Sequence, residues 1–489
     1  MYRNPILYAD YSDPDVISVG SDYYMVASSF TYLPGVPILH SKDLVHWEII
    51  NYAVRRLPFE KYNRPAHGSG TWAPAIRYHN GEFFVFIPLP DEGIFVARSK
   101  DIRGEFRVNC LVESKGWIDP CPYWDADGKA YMVFAYARSR CGIKHRLSLV
   151  EMDDDCTRLL GQPQVIFRNE EIAPTIEGPK MYFRDGYYYI FAPAGGVAAG
   201  WQMVLRSQNI WGPYEYRTVL SQGKTPINGP HQGGWVTDTT GKDWFLHFQD
   251  VGALGRITHL QPMLWEKGWP VMGENGSPVK EHPLPIPNAP AYCIATSDDF
   301  AGEEIALQWQ WQANPQRHFY EMKKPGLALF CLPNPSRENY LWYAPNALTQ
   351  IPQYPAFKVS VEVKLHPDKD GDFAALGIIG HEYGYLALEK GFLRLYRGKV
   401  LDKEQAGKAA ESLAAQIPYE EAQGLLWIEV KEGFFRFFWG AKGENTIGSP
   451  IPLTCGTWTG AKICLWSGNR ENQESAGYGE YQNFKEYPL

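Results

Sequence analysis

A two-part unit that returns five times along the first 280 residues constrains this chain more than any other feature. Its first part is a polar turn followed by an aromatic strand: "GSDYYMVASSF", "HNGEFFVFIPL", "DADGKAYMVFAYA", "FRDGYYYIFAPAG" and "TTGKDWFLHFQD". Its second part follows in three of the repeats as "LHSKDLVHWE", "ARSKDIRGEF" and "LRSQNIWGPYE". The units recur about every 45–60 residues with almost no helix-period stretch between them, which is the signature of a β-propeller. Five units give five blades. A β-sandwich with recurrent hairpins is the simpler alternative, and the recurring two-part unit argues against it.

Stepping back about a dozen residues from each aromatic strand reaches the start of what should be the innermost strand of each blade. The residues there are Asp13 in "SDPDVI", Trp72 in "TWAPAI", Asp119 in "IDPCPYW", Glu177 in "IEGPKMYF" and His231 in "PHQGGWV". Innermost strands ring the central channel, so one repeat position delivers Asp, Trp, Asp, Glu and His to the same end of it. A lone Asp before Pro is ordinary turn chemistry. Three acids at equivalent positions are a catalytic constellation. Asp15 shares the first motif and competes with Asp13 for the same role.

A Pro-rich stretch, "SPVKEHPLPIPNAPAYC", then breaks the pattern, and residues 281–295 read as a linker between a propeller of residues 1–280 and a domain of residues 296–489. Runs such as "FKVSVEVKLHP" and "LLWIEVKEGFFRFFWG" alternate like half-buried strands, so the second domain is expected to be an antiparallel, concanavalin-like β-sandwich and the whole chain all-β. The helix formers in "KEQAGKAAESLAAQ" suggest a loop or a short helical turn there.

With 489 residues, a net charge of −8 and no basic block, nucleic acid is not an expected partner. No apolar run reaches membrane-spanning length, so no membrane association is expected either. Eight cysteines are scattered without a CxxC pair, and "MYRNPILYADYSDPD" at the N-terminus shows no apolar h-region or cleavage pattern of a secretory signal; a cytoplasmic location is expected. The 17 Trp and 30 Tyr suit both β-structure and stacking on sugar rings.

Two carboxyl groups flanking a glycosidic bond are the apparatus of glycoside hydrolysis, one protonated to donate to the leaving oxygen and one ionised to activate water or attack carbon. A third acid nearby tunes the donor by like-charge repulsion. Glu177 has the longer reach and the higher intrinsic pKa, so it is the natural donor. Asp13 and Asp119 divide the other two roles, and physics alone does not assign them. No organic cofactor is needed for this chemistry. A sugar-binding lectin is the competing class; it has no need of the three acids.

The three acid motifs, with "SGTWAPAIRYHNGEFFVF", "SKDLVHW", "IWGPYE" and "HLQPMLWEKGWPVMG", resemble those of glycoside hydrolase family 43, and "DDF" and "YGEYQNFKEYPL" resemble the closing sandwich of its β-xylosidase-type members. The resemblance implies a five-bladed inverting enzyme with Asp13 as general base, Glu177 as general acid and Asp119 as modulator of that acid. It implies Phe30 and Trp72 as aromatic walls of the sugar pocket and Arg256, in "GRITHLQPM", as an arginine holding sugar hydroxyls. It implies His231 as a pocket-floor residue that contacts substrate or ligates a structural calcium. The substrate it implies is a xylooligosaccharide cleaved from its non-reducing end. An arabinosyl-oligosaccharide, cleaved by an α-L-arabinofuranosidase or a dual enzyme, is the alternative. The sandwich also offers a face through which a homo-oligomer could form.

Overall fold

The computed structural model describes residues 1–336, 338–402 and 407–489. Among them, five four-stranded antiparallel sheets follow one another in chain order, as the five repeats require. The innermost strands are Asp15–Val19, Ala75–His79, Trp117–Trp124, Lys180–Arg184 and His231–Thr237. The aromatic runs form the second strand of each blade: Asp22–Val26, Glu82–Leu89, Ala130–Tyr136, Tyr187–Ala194 and Asp243–Asp250. Their side chains fill the space between neighbouring blades, where Phe84, Phe86, Met132 and Phe134 pack in one buried cluster.

The second part of the repeat is a turn with a mechanism. Asp43 Oδ1 accepts from the Val45 amide at 2.9 Å, Asp101 Oδ1 from Arg103 at 2.9 Å and Asn209 Oδ1 from Trp211 at 3.0 Å. The serine two residues earlier accepts from the amide of each of these residues, from Asp43 at 3.1 Å, Asp101 at 3.3 Å and Asn209 at 3.1 Å. Short polar side chains thus turn the chain between the third and fourth strands of three blades.

The ring closes between the N-terminal segment and the fifth blade. The Ile6 amide donates to Thr258 O at 2.9 Å, and Asn4 exchanges side-chain hydrogen bonds with the backbone of Leu260 at 2.8 and 2.9 Å. Tyr2–Arg3 pairs with Glu281–His282, so the first two residues of the expected linker belong to the propeller's closure.

Two seven-stranded sheets form the C-terminal sandwich. Its inner faces bury alternating residues such as Val359, Val361 and Val363 against Leu376, Leu386 and Leu388. One expectation fails here. Residues 403–406 of "KEQAGKAAESLAAQ" lie outside the described residues, but its remainder opens the strand Ala409–Pro418. That strand is the edge of its sheet, paired with Phe392–Val400. Ladder pairing overrides the helix propensity of its alanines.

The sandwich is fastened to the propeller close to the expected pocket. Leu33 and Trp311 exchange backbone hydrogen bonds at 2.9 and 2.6 Å, and Gln310 Nε2 donates to Ser29 Oγ at 3.3 Å. These contacts hold from outside the loop that carries Phe30.

Candidate active site

Asp13, Asp119 and Glu177 line one cavity of about 240 Å³ at one end of the propeller channel, together with Phe30, Trp72 and Arg256. Six of the seven residues expected at the site therefore meet in one place. Asp13 and Asp119 both adopt left-handed backbone, with φ of 56° and 55°. Aspartate is among the few residues that tolerate this region. Asp119 sits at a register shift between Ile118 and Cys121, a bulge that turns its carboxyl out of the strand and into the cavity.

Asp13 is almost wholly buried and tightly held. Ser28 Oγ donates to its Oδ2 at 2.6 Å, and Arg256 Nη1 lies 3.1 and 3.3 Å from its two oxygens. Arg256 therefore grips an acid of the site, which leaves its remaining donors for a ligand. Its own amide donates to Asp10 Oδ1 at 2.9 Å.

Asp119 is buried and accepts from the Gly178 amide at 2.7 Å, one residue past Glu177. Burial first, and then the charge of Glu177, pushes the Asp119 carboxyl up to about 8. The buried ammonium of Lys180 pulls the other way. Lys180 Nζ has no hydrogen-bond partner among the described residues, so its charge acts through space. Glu177 is the most open of the three acids, with 24% of its side chain exposed. Its Oε1 shares a 2.8 Å hydrogen bond with His231 Nε2.

His231 is the seventh expected residue, and it does not line the cavity. Its ring is fully buried behind Glu177, so any effect on substrate runs through that acid. Its Nδ1 has no hydrogen-bond partner among the described residues. Calcium takes six to eight oxygen ligands, and the one carboxylate bonded to this ring is Glu177. No group of three or more His, Cys, Asp or Glu among the described residues is placed to hold a metal. The residues present do not fit a protein-ligated calcium at His231.

Asp15, the competing acid, points away from the cavity. Its Oδ2 accepts from the Ile76 amide at 2.9 Å and from Arg77 Nη1 at 2.6 Å, pinning the first blade to the second.

Three cavity residues were not legible as site residues in the sequence. Gln232 reaches Asp119 Oδ2 at 3.5 Å. Lys144 comes from the loop after the second strand of the third blade. Trp458 comes from the sandwich and stands edge-on to Trp72 at 6.2 Å, while Trp72 in turn meets Phe30 at 6.1 Å. The Gly460 amide donates to Asp10 Oδ2 at 2.7 Å, so Asp10 fastens both Arg256 and the loop carrying Trp458. A repeat-based signal finds none of the three, because Lys144 and Trp458 lie in loops outside the repeat and Gln232 is masked by His231 beside it.

A five-bladed channel closed at one end around three carboxyl groups and an aromatic wall defines a glycoside hydrolase. Residues 2–270 match the model described as "Glycosyl hydrolases family 43", and residues 297–485 match "Beta xylosidase C-terminal Concanavalin A-like domain". The chain belongs to glycoside hydrolase family 43. A protein of Xylanibacter ruminicola that carries a provisional β-xylosidase name is 35% identical, covering 95% of this chain and 86% of its own. A protein of Butyrivibrio fibrisolvens named xylosidase/arabinosidase is 30% identical over 88% of this chain and 89% of its own. Among solved structures, a xylan β-1,4-xylosidase from Bacillus halodurans C-125 superposes over the whole of both chains with a TM-score of 0.86 at 22% identity, a likeness of fold.

Proposed function

We propose that this enzyme is an inverting, exo-acting β-1,4-xylosidase that releases xylose from the non-reducing end of short xylooligosaccharides. The observation that carries the reading is the shape of the acid site: a cavity of about 240 Å³, buried at Asp13, Asp119 and Arg256 and narrowed at its mouth by Trp458. Its buried floor, with Trp458 of the sandwich standing at the mouth, suits a sugar entering end-on, which favours cleavage at a terminus. The names of the similar proteins from Xylanibacter ruminicola and Butyrivibrio fibrisolvens support xylosides as the substrate class.

In this reading the terminal sugar packs against Phe30 and Trp72, with the remaining donors of Arg256 on its hydroxyls. Glu177, the acid nearest the opening, protonates the glycosidic oxygen as the bond to the leaving group breaks. Asp13, fixed by Ser28 and Arg256, takes a proton from a water that attacks the anomeric carbon from the opposite face. One displacement with water inverts the anomeric centre. Asp119, whose Oδ2 accepts from the Gly178 amide one residue past Glu177, stands beside that acid as its modulator. His231 fixes the orientation of the Glu177 carboxyl. Water and carboxyl groups suffice, and no cofactor takes part.

The Butyrivibrio fibrisolvens name also favours a second reading, a dual enzyme that removes α-L-arabinofuranose. Incubation with xylobiose and, separately, with an arabinofuranosyl-substituted xylooligosaccharide decides between them by chromatography of the products. Xylose from xylobiose without arabinose from the other substrate supports the first reading, and both products support the second; arabinose alone overturns both in favour of an α-L-arabinofuranosidase. No product from either substrate points to a sugar-binding protein.

A further inference from the structure

The residues around the catalytic cavity fall into two tiers. Asp13, Phe30, Asp119, Gln232 and Arg256 are buried and form its floor. Glu177, Trp72, Lys144, Thr175 and Trp458 are partly or largely exposed and form its mouth. If the terminal sugar fills the floor, the leaving group must lie across the mouth, on the side of the acid that protonates it. That step rests on the proposed exo-xylosidase function.

Lys144 is the one lining residue of the mouth with a cationic side chain. It has no hydrogen-bond or ion-pair partner among the described residues, although it is half-buried beside a cavity holding three acids. Its backbone is anchored. The neighbouring His145 accepts a 2.7 Å hydrogen bond at Nδ1 from the amide of Thr175, two residues before Glu177. Both His145 and Thr175 are in left-handed backbone, φ 61° and 52°, which a β-branched threonine adopts only when its surroundings impose it. The same loop is tied at its other end. Arg140 donates to Asp91 Oδ1 at 2.9 Å and to Gly68 O at 2.8 Å, and its guanidinium lies 5.3 Å from the Trp72 ring centre. The loop thus grips an aromatic wall with one end and the segment carrying Glu177 with the other, and between the two presents an unpaired ammonium.

We infer that Lys144 is a specificity-determining residue for the leaving group, its ammonium donating hydrogen bonds to hydroxyls of the sugar next to the scissile bond. The ammonium has three donors and accepts nothing, and among the described residues no protein acceptor takes them, so they are open to a ligand at the mouth. A hydroxyl-rich leaving sugar supplies acceptors at that place, and an aryl leaving group does not. Charge-assisted hydrogen bonds of this kind are the stronger ones.

The test compares Lys144→Met, which keeps the apolar stem, with wild type on xylobiose and on 4-nitrophenyl β-D-xylopyranoside. The expected result is a fall in kcat/KM for xylobiose that exceeds the fall for the aryl xyloside by about tenfold, in line with one charged hydrogen bond, with the loss falling mainly on KM. Lys144→Arg should recover part of the xylobiose activity. Equal losses on both substrates, or an equal shift of both pH profiles to higher pH, would mean that Lys144 acts on Glu177 and would overturn the inference. No loss on either would also overturn it. Wild type inactive on both substrates would instead overturn the xylosidase reading on which the inference stands. A preference lost only for oligosaccharides bearing a uronate next to the scissile bond would replace hydroxyl recognition with carboxylate recognition.

Discussion

Asp13 and Asp15 stand two residues apart at the entry of one strand, and both are buried. The layer around Asp15 is neutralised. Arg77 of the second blade meets its charge at 2.6 Å, reaches Cys121 Sγ of the third at 3.0 Å and lies over the Tyr182 ring of the fourth at 5.3 Å. In the fifth blade, Gly234 leaves the room that the carboxyl needs: a Cβ there would stand 2.8 Å from Asp15 Oδ1. The layer around Asp13, at the mouth, gathers three carboxyl groups, and the one cation bonded to them is Arg256 on Asp13. Burial first, and then the charge of Glu177, pushes Asp119 up to about 8. One layer spends its polar groups on holding blades together and the other keeps a proton within reach of a substrate.

The largest effect expected from this difference is on rate. Glu177→Gln should lower kcat for xylobiose about 10²–10⁴-fold with the melting temperature nearly unchanged. An activated aryl xyloside, which needs little proton donation, should be rescued in part; Asp13→Asn should fail on both substrates.

Asp15→Ala should reverse the pattern. It leaves Arg77 as an unpaired buried charge, and losing one partner of such a pair costs about 3–5 kcal/mol of stability. Denaturant unfolding should show that loss, while the folded fraction should retain most of its kcat. A stable, inactive Asp15→Ala would exchange the two roles.

The pH dependence sharpens the comparison. A carboxyl raised from 3.8 to about 8 holds a proton in the folded state that the unfolded chain has already released. Its contribution to stability is full below about pH 4 and is lost as pH rises through about 8. The melting temperature of the wild type should therefore fall as pH rises from about 4 to about 8, and that of Asp119→Asn should fall less.

The smallest effect comes from the other domain. Trp458→Ala should reduce kcat/KM on xylobiose by about tenfold or less, through one lost aromatic contact worth roughly 0.5–1.5 kcal/mol, and leave the propeller's melting unaltered.

Repetition made most of this legible in the sequence. Five blades and the three acids follow from one position read across five units, because a propeller turns equivalent positions into neighbours. What the repeat does not encode stayed hidden. Trp458 enters the site from a sandwich loop, in the other domain and far along the chain from Glu177. Lys144 belongs to a loop peculiar to one blade. Asp13 and Asp15 share composition and motif, and their partners separate them: Ser28 and Arg256 on Asp13 in the cavity, the Ile76 amide and Arg77 on Asp15 away from it. His231 was found at the right position, yet its ring turns behind Glu177 instead of into the cavity. The strand Ala409–Pro418 was misread because alanines favour helix locally while a partner strand decides the outcome.

Proton NMR of the first turnovers on xylobiose tests the central claim most directly, since a base on one face and an acid on the other fix the stereochemistry of the product. Xylose released from the β-linkage should appear first as the α-anomer and mutarotate afterwards. Initial β-xylose would mean that a carboxylate attacks the anomeric carbon and that a second displacement restores its configuration, contradicting the division of labour between Asp13 and Glu177.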